Sequence, residues 1–232
     1  MVTIRRSDDR GKTNIGWLDS RHSFSFGDYY DPANESFGPL RVINEDWIAG
    51  GAGFPPHPHR DMEIVTYILE GAIAHRDSSG GGGTIRPGEI QRMSAGSGIV
   101  HSEFNASGSE TCHMLQIWIM PSARGLTPGY EQKTIDAAAM QNHFTRIAGP
   151  DPGDKEVRLV QDAEIWAARL EAGIEAIHPL DPGRRAWLQV ARGSVRLDGE
   201  VLAAGDAAAI TDQQNIAVRA ETDAEVLLFD LA

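Results

Sequence analysis

With a single cysteine, Cys112, this chain cannot form an intramolecular disulfide, and it fits a reducing compartment. The apolar neighbours of Cys112 mark it as a core thiol. Long hydrophobic runs are also missing: no stretch reaches the roughly 18 apolar residues that span a bilayer, and residues 1–6 contain no apolar signal segment. A cytoplasmic location is expected. Positive charge is scarce, with 21 Lys and Arg against 33 Asp and Glu, a net charge of −12 and a pI near 5.0. That balance argues against a grip on phosphate backbones, so neither nucleic acid nor membrane is expected as a partner. The only basic pairs, Arg5-Arg6 and Arg184-Arg185, read as solvated surface. What the chain does have is a hydrophobic fraction of 41% and a charged fraction of 23%, ordinary values for a folded globular protein.

Helical pattern is sparse as well, and is confined to residues 134–142, where Asp136 and the alanines 137–139 predict a short helix. Most of the remainder reads as short β-branched or aromatic runs: 63–69, 114–120, 186–190, 194–197 and 225–231. Turn residues separate them, including Arg86-Pro87-Gly88, Ala95-Gly96-Ser97-Gly98, Asp181-Pro182-Gly183 and Asp198-Gly199. The glycines 80–83 lack the Gly-Lys-Ser/Thr of a phosphate loop and read as a flexible hairpin tip. This pattern predicts an all-β fold of two antiparallel β-barrel or jelly-roll domains with few short helices. The boundary is placed near residue 134, giving an N-terminal metal-binding domain, 1–133, and a C-terminal domain without a metal site, 134–232. A weak internal repeat supports duplication: Gly71 and Gly193 each sit between two strands, and Arg86-Pro87-Gly88-Glu89 has a counterpart in Ala203-Ala204-Gly205-Asp206.

The chemistry concentrates in Pro56-His57-Pro58-His59 and, about 40 residues later, His101-Ser102-Glu103. Along a β-strand, residues two apart share a face, so each pair can aim two ligands at one point. Three imidazoles and a carboxylate suit iron, nickel, copper, manganese or zinc rather than calcium. Four such ligands leave two positions of an octahedral ion open for substrate or dioxygen. The other imidazoles, His22, His75, His113, His143 and His178, are scattered and read as satisfied core or surface residues. His113 alone is a candidate to line a cavity. Phe24, Phe26, Tyr29, Tyr30, Trp47 and Trp118 read as core or lid, and as suited to a flat ligand.

The spaced residues Gly51-x5-His57-x-His59-x3-Glu63-x7-Gly71 and Gly88-x5-Ser94-x-Gly96-x4-His101-x3-Asn105 resemble the two cupin motifs. They depart from the general pattern by one extra residue before Gly71, by Ser94 where proline is usual, and by two extra residues before His101. The strings His22-Ser23-Phe24-Ser25-Phe26-Gly27-Asp28-Tyr29-Tyr30-Asp31-Pro32, Phe54 to Glu63 and Met93 to Glu103 resemble the pirin branch, most closely its bacterial quercetinase-like members. The resemblance runs through the final strand and implies a bicupin.

It also implies that His57, His59, His101 and Glu103 are the metal ligands. Glu63, the general cupin carboxylate, then becomes a residue that orients a ligand from behind or merely starts a strand. The activity implied is that of a metal-dependent dioxygenase of the quercetin 2,3-dioxygenase type. Fe(II) is the first choice of metal, with nickel, copper, manganese, cobalt or zinc as alternatives. The substrates would be a flavonol-like aromatic and dioxygen, and Glu103 would take the substrate's hydroxyl proton. The alternative, also from the resemblance, is a metal-dependent redox-sensing regulatory binding protein.

Overall fold

The computed structural model describes residues 1–232. Every regular element is a β-strand apart from the single 3-10 turn Ser7–Asp9, and no helix is long and apolar enough to cross a membrane. The chain forms two compact units. In each, a four-stranded antiparallel sheet packs on a larger one, giving the bicupin architecture expected.

The unit carrying the histidine pairs has a seven-stranded sheet in the spatial order Gly129–Thr134, Glu89–Ser94, Glu63–Glu70, Cys112–Ile119, Leu40–Ile48, Leu18–His22 and Gly11–Asn14. Its smaller sheet runs Gly53–His59, Ile99–Asn105, Ile73–Asp77, Gly82–Ile85. Alternation decides which side chains enter the interior: in Ile99–Asn105 the residues Ile99, His101, Glu103 and Asn105 are buried, while Val100 and Phe104 face outward. At one end of the unit Leu18, Ile48, Ile68 and Met114 of the large sheet pack on Ile73 and Ile85 of the small one.

In the other unit, Ala207–Ile210, Arg185–Arg192, Ala224–Leu231, Ala163–Leu170 and Thr145–Gly149 lie side by side, opposite Glu175–Pro179, Asn215–Ala220, Ser194–Leu197 and Glu200–Ala203. Its interior is one apolar cluster that includes Leu188, Val195, Leu197, Ile216, Val218 and Leu228. Leu228 is fully buried, so Leu228→Ala is expected to cost about 3 kcal/mol in urea unfolding, by lost transfer energy plus the cavity left behind. A cost under about 1 kcal/mol would mean that the core collapses around the gap.

Three sequence expectations change. The units do not meet at a single cut near residue 134: one comprises Gly11–Ile135 with Asp151–Gln161, the other Met1–Arg10, Asp136–Pro150 and Asp162–Ala232. The N-terminus leaves its sequence neighbours because Val2–Arg5 pairs antiparallel with Ala207–Ile210. The turn after it is tied by the Ser7 amide donating to Asp206 at 2.7 Å, and by Arg6 to Asp206 at 3.0 Å. Residues 151–161 return to the first unit, where the Ser122 amide donates to the Val160 carbonyl at 2.7 Å and the Arg158 amide to Glu131 at 2.8 Å.

The expected helix at 134–142 is a single turn instead. The Ala139 amide donates to the Asp136 side chain and the Met140 amide to its carbonyl, after which Gln141 bridges to Arg169. One capped turn does not reach the length at which alanine propensity outweighs helix nucleation.

The glycines at 80–83 are also more than a hairpin tip. Gly82–Ile85 is a strand paired with Ile73–Asp77, and a Cβ at Gly81 would lie 2.6 Å from Tyr130, so the missing side chain admits a close neighbour. Of the basic pairs, Arg6 bonds Asp206 and Glu200, and Arg184 is held by Asp162 and Asp230; both arginines brace turns.

Candidate metal centre

Gly53–His59 is the edge strand of the small sheet, which is where Pro55, Pro56 and Pro58 can sit without depriving a neighbour of a donor. It pairs with Ile99–Asn105 so that His57 faces His101 and His59 faces Ile99; the register then slips and Phe54 faces Glu103. The irregularity gives the proline strand one extra residue. On the far side of Ile99–Asn105, His101 faces Asp77 and Glu103 faces His75. Three adjacent strands thus each contribute an i, i+2 polar pair: His57/His59, His101/Glu103 and His75/Asp77.

Ligand-capable atoms of His57, His59 and His101 lie within 4.8 Å of one another, and those of His75, His101 and Glu103 form a second such group that shares His101. The four residues singled out from sequence are therefore gathered around His101, and His75 joins them.

Hydrogen bonds assign the ring protons. His57 Nδ1 lies 2.8 Å from the Pro55 carbonyl, which can only accept, so Nδ1 carries the proton and Nε2 is bare. His57 Nε2 in turn lies 3.0 Å from His101 Nε2. Burial, reinforced by His57, lowers the pKa of His59 to about 4, and burial with His57, His59 and His75 lowers that of His101 to about 2. Neutral imidazoles aimed at one point are what a cation requires and what an empty cluster of imidazolium ions would resist.

Glu103 is buried, and the Gln116 amide donates to both its oxygens at 3.2 and 3.3 Å. Burial pushes its pKa up to about 7, against the pull of Gln116. A buried carboxylate beside deprotonated imidazoles has no cation among these partners to balance it. The donor set, three nitrogens and one oxygen, fits a divalent first-row ion.

A cavity of about 440 Å³ opens beside the cluster. His57, His59 and Glu103 form one side of it, and Phe26, Phe54 and Trp118 line it with aromatic surface. Trp118 meets His59 edge-on at 4.9 Å, and Phe26 meets Trp118 edge-on at 5.4 Å. The large sheet adds a polar wall: His22 Nδ1 is 2.8 Å from Asn44, His22 Nε2 is 2.9 Å from the Thr13 hydroxyl, and Ser20 donates to Asp46.

Sequence reasoning left these wall residues unassigned because they come from three different strands. The only signal was His22 within the aromatic string. Burial, supported by Glu45, raises the pKa of Asp46 to about 7, while the bonds to Ser20 and the charge of His113 oppose it. Folded Asp46 therefore keeps a proton that the unfolded chain releases near pH 4, and stability falls as pH rises from about 4 to about 7. In metal-free protein, Asp46→Asn is expected to raise Tm by a few degrees at pH 8 and by nothing at pH 4. An equal gain at both pH values would contradict this.

Two other candidates lie outside the cluster. Glu63 begins its strand fully buried, accepts a 2.6 Å hydrogen bond from Ser94 and a 3.4 Å bond from the Val160 amide, and lies 4.0 Å from Arg92. Ser94, unusual for a cupin at that place, is thus the partner that Glu63 needs. His113 bonds Glu45 at 2.9 Å and stacks on Trp47 at 4.4 Å. It has the opposite strand parity to Gln116 and Trp118, which line the cavity, so it does not enter it. Cys112 is buried, and burial raises its thiol pKa to about 12, as suits a core residue.

The Pirin family profile matches residues 3–119 and a quercetinase C-terminal cupin domain matches 146–231. The chain belongs to the pirin family. It is 46% identical over 231 residues to the quercetin 2,3-dioxygenase of Escherichia coli K12, covering 100% of this chain and 99% of that one. It superposes on the bacterial pirin YhhW from E. coli, solved in complex with nickel(II), with a TM-score of 0.94 at 45% identity, covering 100% of this chain and 99% of that chain. A structure from Geobacillus kaustophilus, GK1651, matches with a TM-score of 0.79 at 26% identity, over 98% of this chain and 94% of its own. The pirin signature thus falls on the unit built around His101, and the second profile falls on the apolar-cored unit.

Proposed function

We propose that this pirin is a metal-dependent dioxygenase of the quercetin 2,3-dioxygenase type, which opens the ring of a flavonol-like substrate with dioxygen. One observation carries the reading: bare imidazole nitrogens and a buried carboxylate converge on the wall of a cavity large enough for a flat aromatic molecule, with apolar and hydrogen-bonding faces on hand. His57, His59, His101 and Glu103 would hold a divalent ion, Fe(II) first, with nickel, copper, manganese, cobalt or zinc as alternatives. When bound, the ion supplies Lewis acidity toward a substrate hydroxyl and a meeting point for dioxygen.

The chain's own residues do the rest. Phe26, Phe54 and Trp118 shield the flat substrate from water, and Thr13, His22, Asn44 and Asp46 offer partners to its hydroxyls. Glu103 takes the proton of the hydroxyl nearest the ion, and Gln116 holds the carboxylate in place for that transfer. The comparisons with E. coli support the same reading, through the name quercetin 2,3-dioxygenase and through a structure solved with nickel(II).

The test is to load purified protein anaerobically with iron, nickel, copper or manganese, admit air and follow quercetin absorbance. Turnover with at least one metal is expected; none with any of the four rejects the reading. The alternative, a redox-sensing regulatory role, calls for a partner surface that changes with the metal's oxidation state. The recessed position of the cluster favours a small molecule instead. Partner capture that differs between ferrous and ferric protein would favour the alternative.

A further inference from the structure

We propose that His75 and Asp77 are positioning residues for His101: together they fix the ring tautomer that leaves His101 Nε2 without a proton and facing His57. The inference rests on the metal reading above but concerns two residues which that reading leaves idle.

The geometry runs as a chain of single assignments. Asp77 Oδ1 accepts from the Ser79 amide at 2.8 Å, the Ser79 hydroxyl at 2.6 Å and the Gly81 amide at 3.0 Å. Its other oxygen, Oδ2, lies 3.1 Å from His75 Nε2, with both side chains fully shielded from solvent. A carboxylate can only accept, so His75 carries its proton on Nε2 and leaves Nδ1 bare. His75 Nδ1 lies 3.4 Å from His101 Nδ1, which must therefore be the donor. With its proton on Nδ1, His101 presents Nε2 as a lone pair 3.0 Å from the His57 Nε2 lone pair. That approach is repulsive without a shared cation, and the contacts to Asp77 through His75 and to Pro55 have to hold it in place.

His57 reaches the same tautomer independently, through the Pro55 carbonyl. His75 lies beside His101 and Glu103, but both of its nitrogens are engaged, one by Asp77 and the other by His101.

The local fold is arranged to keep this pair in place. Tyr130 stacks on His75 with ring centroids 5.0 Å apart. A Cβ at Gly81 would meet Asp77 and Tyr130, and one at Gly83 would lie 2.9 Å from the Tyr130 hydroxyl oxygen, so both glycines make room for the stack. Burying a carboxylate against a neutral imidazole is costly to maintain for stability alone, and orienting a metal-binding imidazole is a recurrent use for such a pair.

Asp77→Asn makes a pointed test. Three donors already occupy Oδ1, so the asparagine carbonyl must stay there and its amide must take the place of Oδ2. That amide donates to His75 Nε2 and drives the His75 proton to Nδ1, where it confronts the His101 Nδ1 proton. His101 is then expected to switch to the Nε2-protonated form. In metal-free Asp77→Asn, long-range nitrogen NMR should show His101 Nε2 moving from the bare to the protonated region. Calorimetric titration with nickel should show Kd rising about 10- to 100-fold. His75→Gln, whose side-chain carbonyl can still accept from His101, should stay within about fivefold of wild type, whereas His75→Phe should match Asp77→Asn.

The proposal fails if His101 keeps its tautomer in Asp77→Asn, or if His75→Gln and His75→Phe weaken nickel equally. If Asp77→Asn does not fold, the two His75 variants decide. A wild type that binds no nickel overturns the metal reading instead, and the metal-free spectra still judge the tautomer.

Discussion

His101→Ala is expected to abolish metal retention and turnover together while the protein stays folded. His101 lies on the strand between the proline edge strand and the strand carrying His75 and Asp77, and both groups of ligand-capable atoms include it. Removing it takes away the residue that both groups share, leaving His57 and His59 on the edge strand and Glu103 on the strand beside it. With the linking imidazole gone the remaining three groups enclose an ion poorly, so affinity should fall at least about 100-fold, or roughly 3 kcal/mol at 1.36 kcal/mol per factor of ten. The fold has less to lose. His101 belongs to neither of the apolar clusters around it, and the deletion also relieves its 3.0 Å approach to His57. Elemental analysis after gel filtration, beside circular dichroism, checks this; stoichiometric metal in the variant would remove His101 from the site.

Glu103→Gln is expected to separate the two roles assigned to that residue. Glutamine keeps the shape and one acceptor oxygen, so it can still receive the Gln116 hydrogen bond and face the ion, and metal Kd should rise no more than about tenfold. It cannot take a proton from a hydroxyl, and loss of a positioned base typically costs 10²- to 10⁴-fold. A fall in kcat of that size with most of the metal retained is the expected outcome, read from quercetin turnover normalised to bound metal. A parallel loss of metal and rate would make Glu103 a ligand and nothing more. The cavity offers two other carboxylates, Asp28 and Asp46; Asp46, on the opposite sheet and bonded to Ser20, is where activity that survives in Glu103→Gln would first be sought.

The difference between Glu103 and Asp46 also shows what a linear reading can and cannot reach. His57, His59, His101 and Glu103 were legible because strand periodicity puts i, i+2 residues on one face and because two such pairs stood inside a recognisable string. His75-x-Asp77 has the same spacing and was passed over. One imidazole with a carboxylate two residues on is common, and only the register that sets Glu103 opposite His75 gives it meaning.

The polar wall was less accessible still. His22, Asn44 and Asp46 meet through pairing of Leu18–His22 with Leu40–Ile48, and no local pattern encodes that contact. Strand positions in the core were plain from their β-branched runs. The Asp136 turn was not, because helix propensity says nothing about length. Nor was the placement of residues 1–10, whose partners lie about 200 positions away and are chosen by a free sheet edge at Ala207–Ile210.

The most direct measurement is the mass of the product formed from quercetin under 18O-labelled dioxygen by metal-loaded protein, with the released gas collected. A ring-opened product that has gained both labelled oxygen atoms is expected, with one carbon monoxide released for each quercetin consumed. Product without label, or hydrogen peroxide in place of carbon monoxide, would contradict the dioxygenase reading.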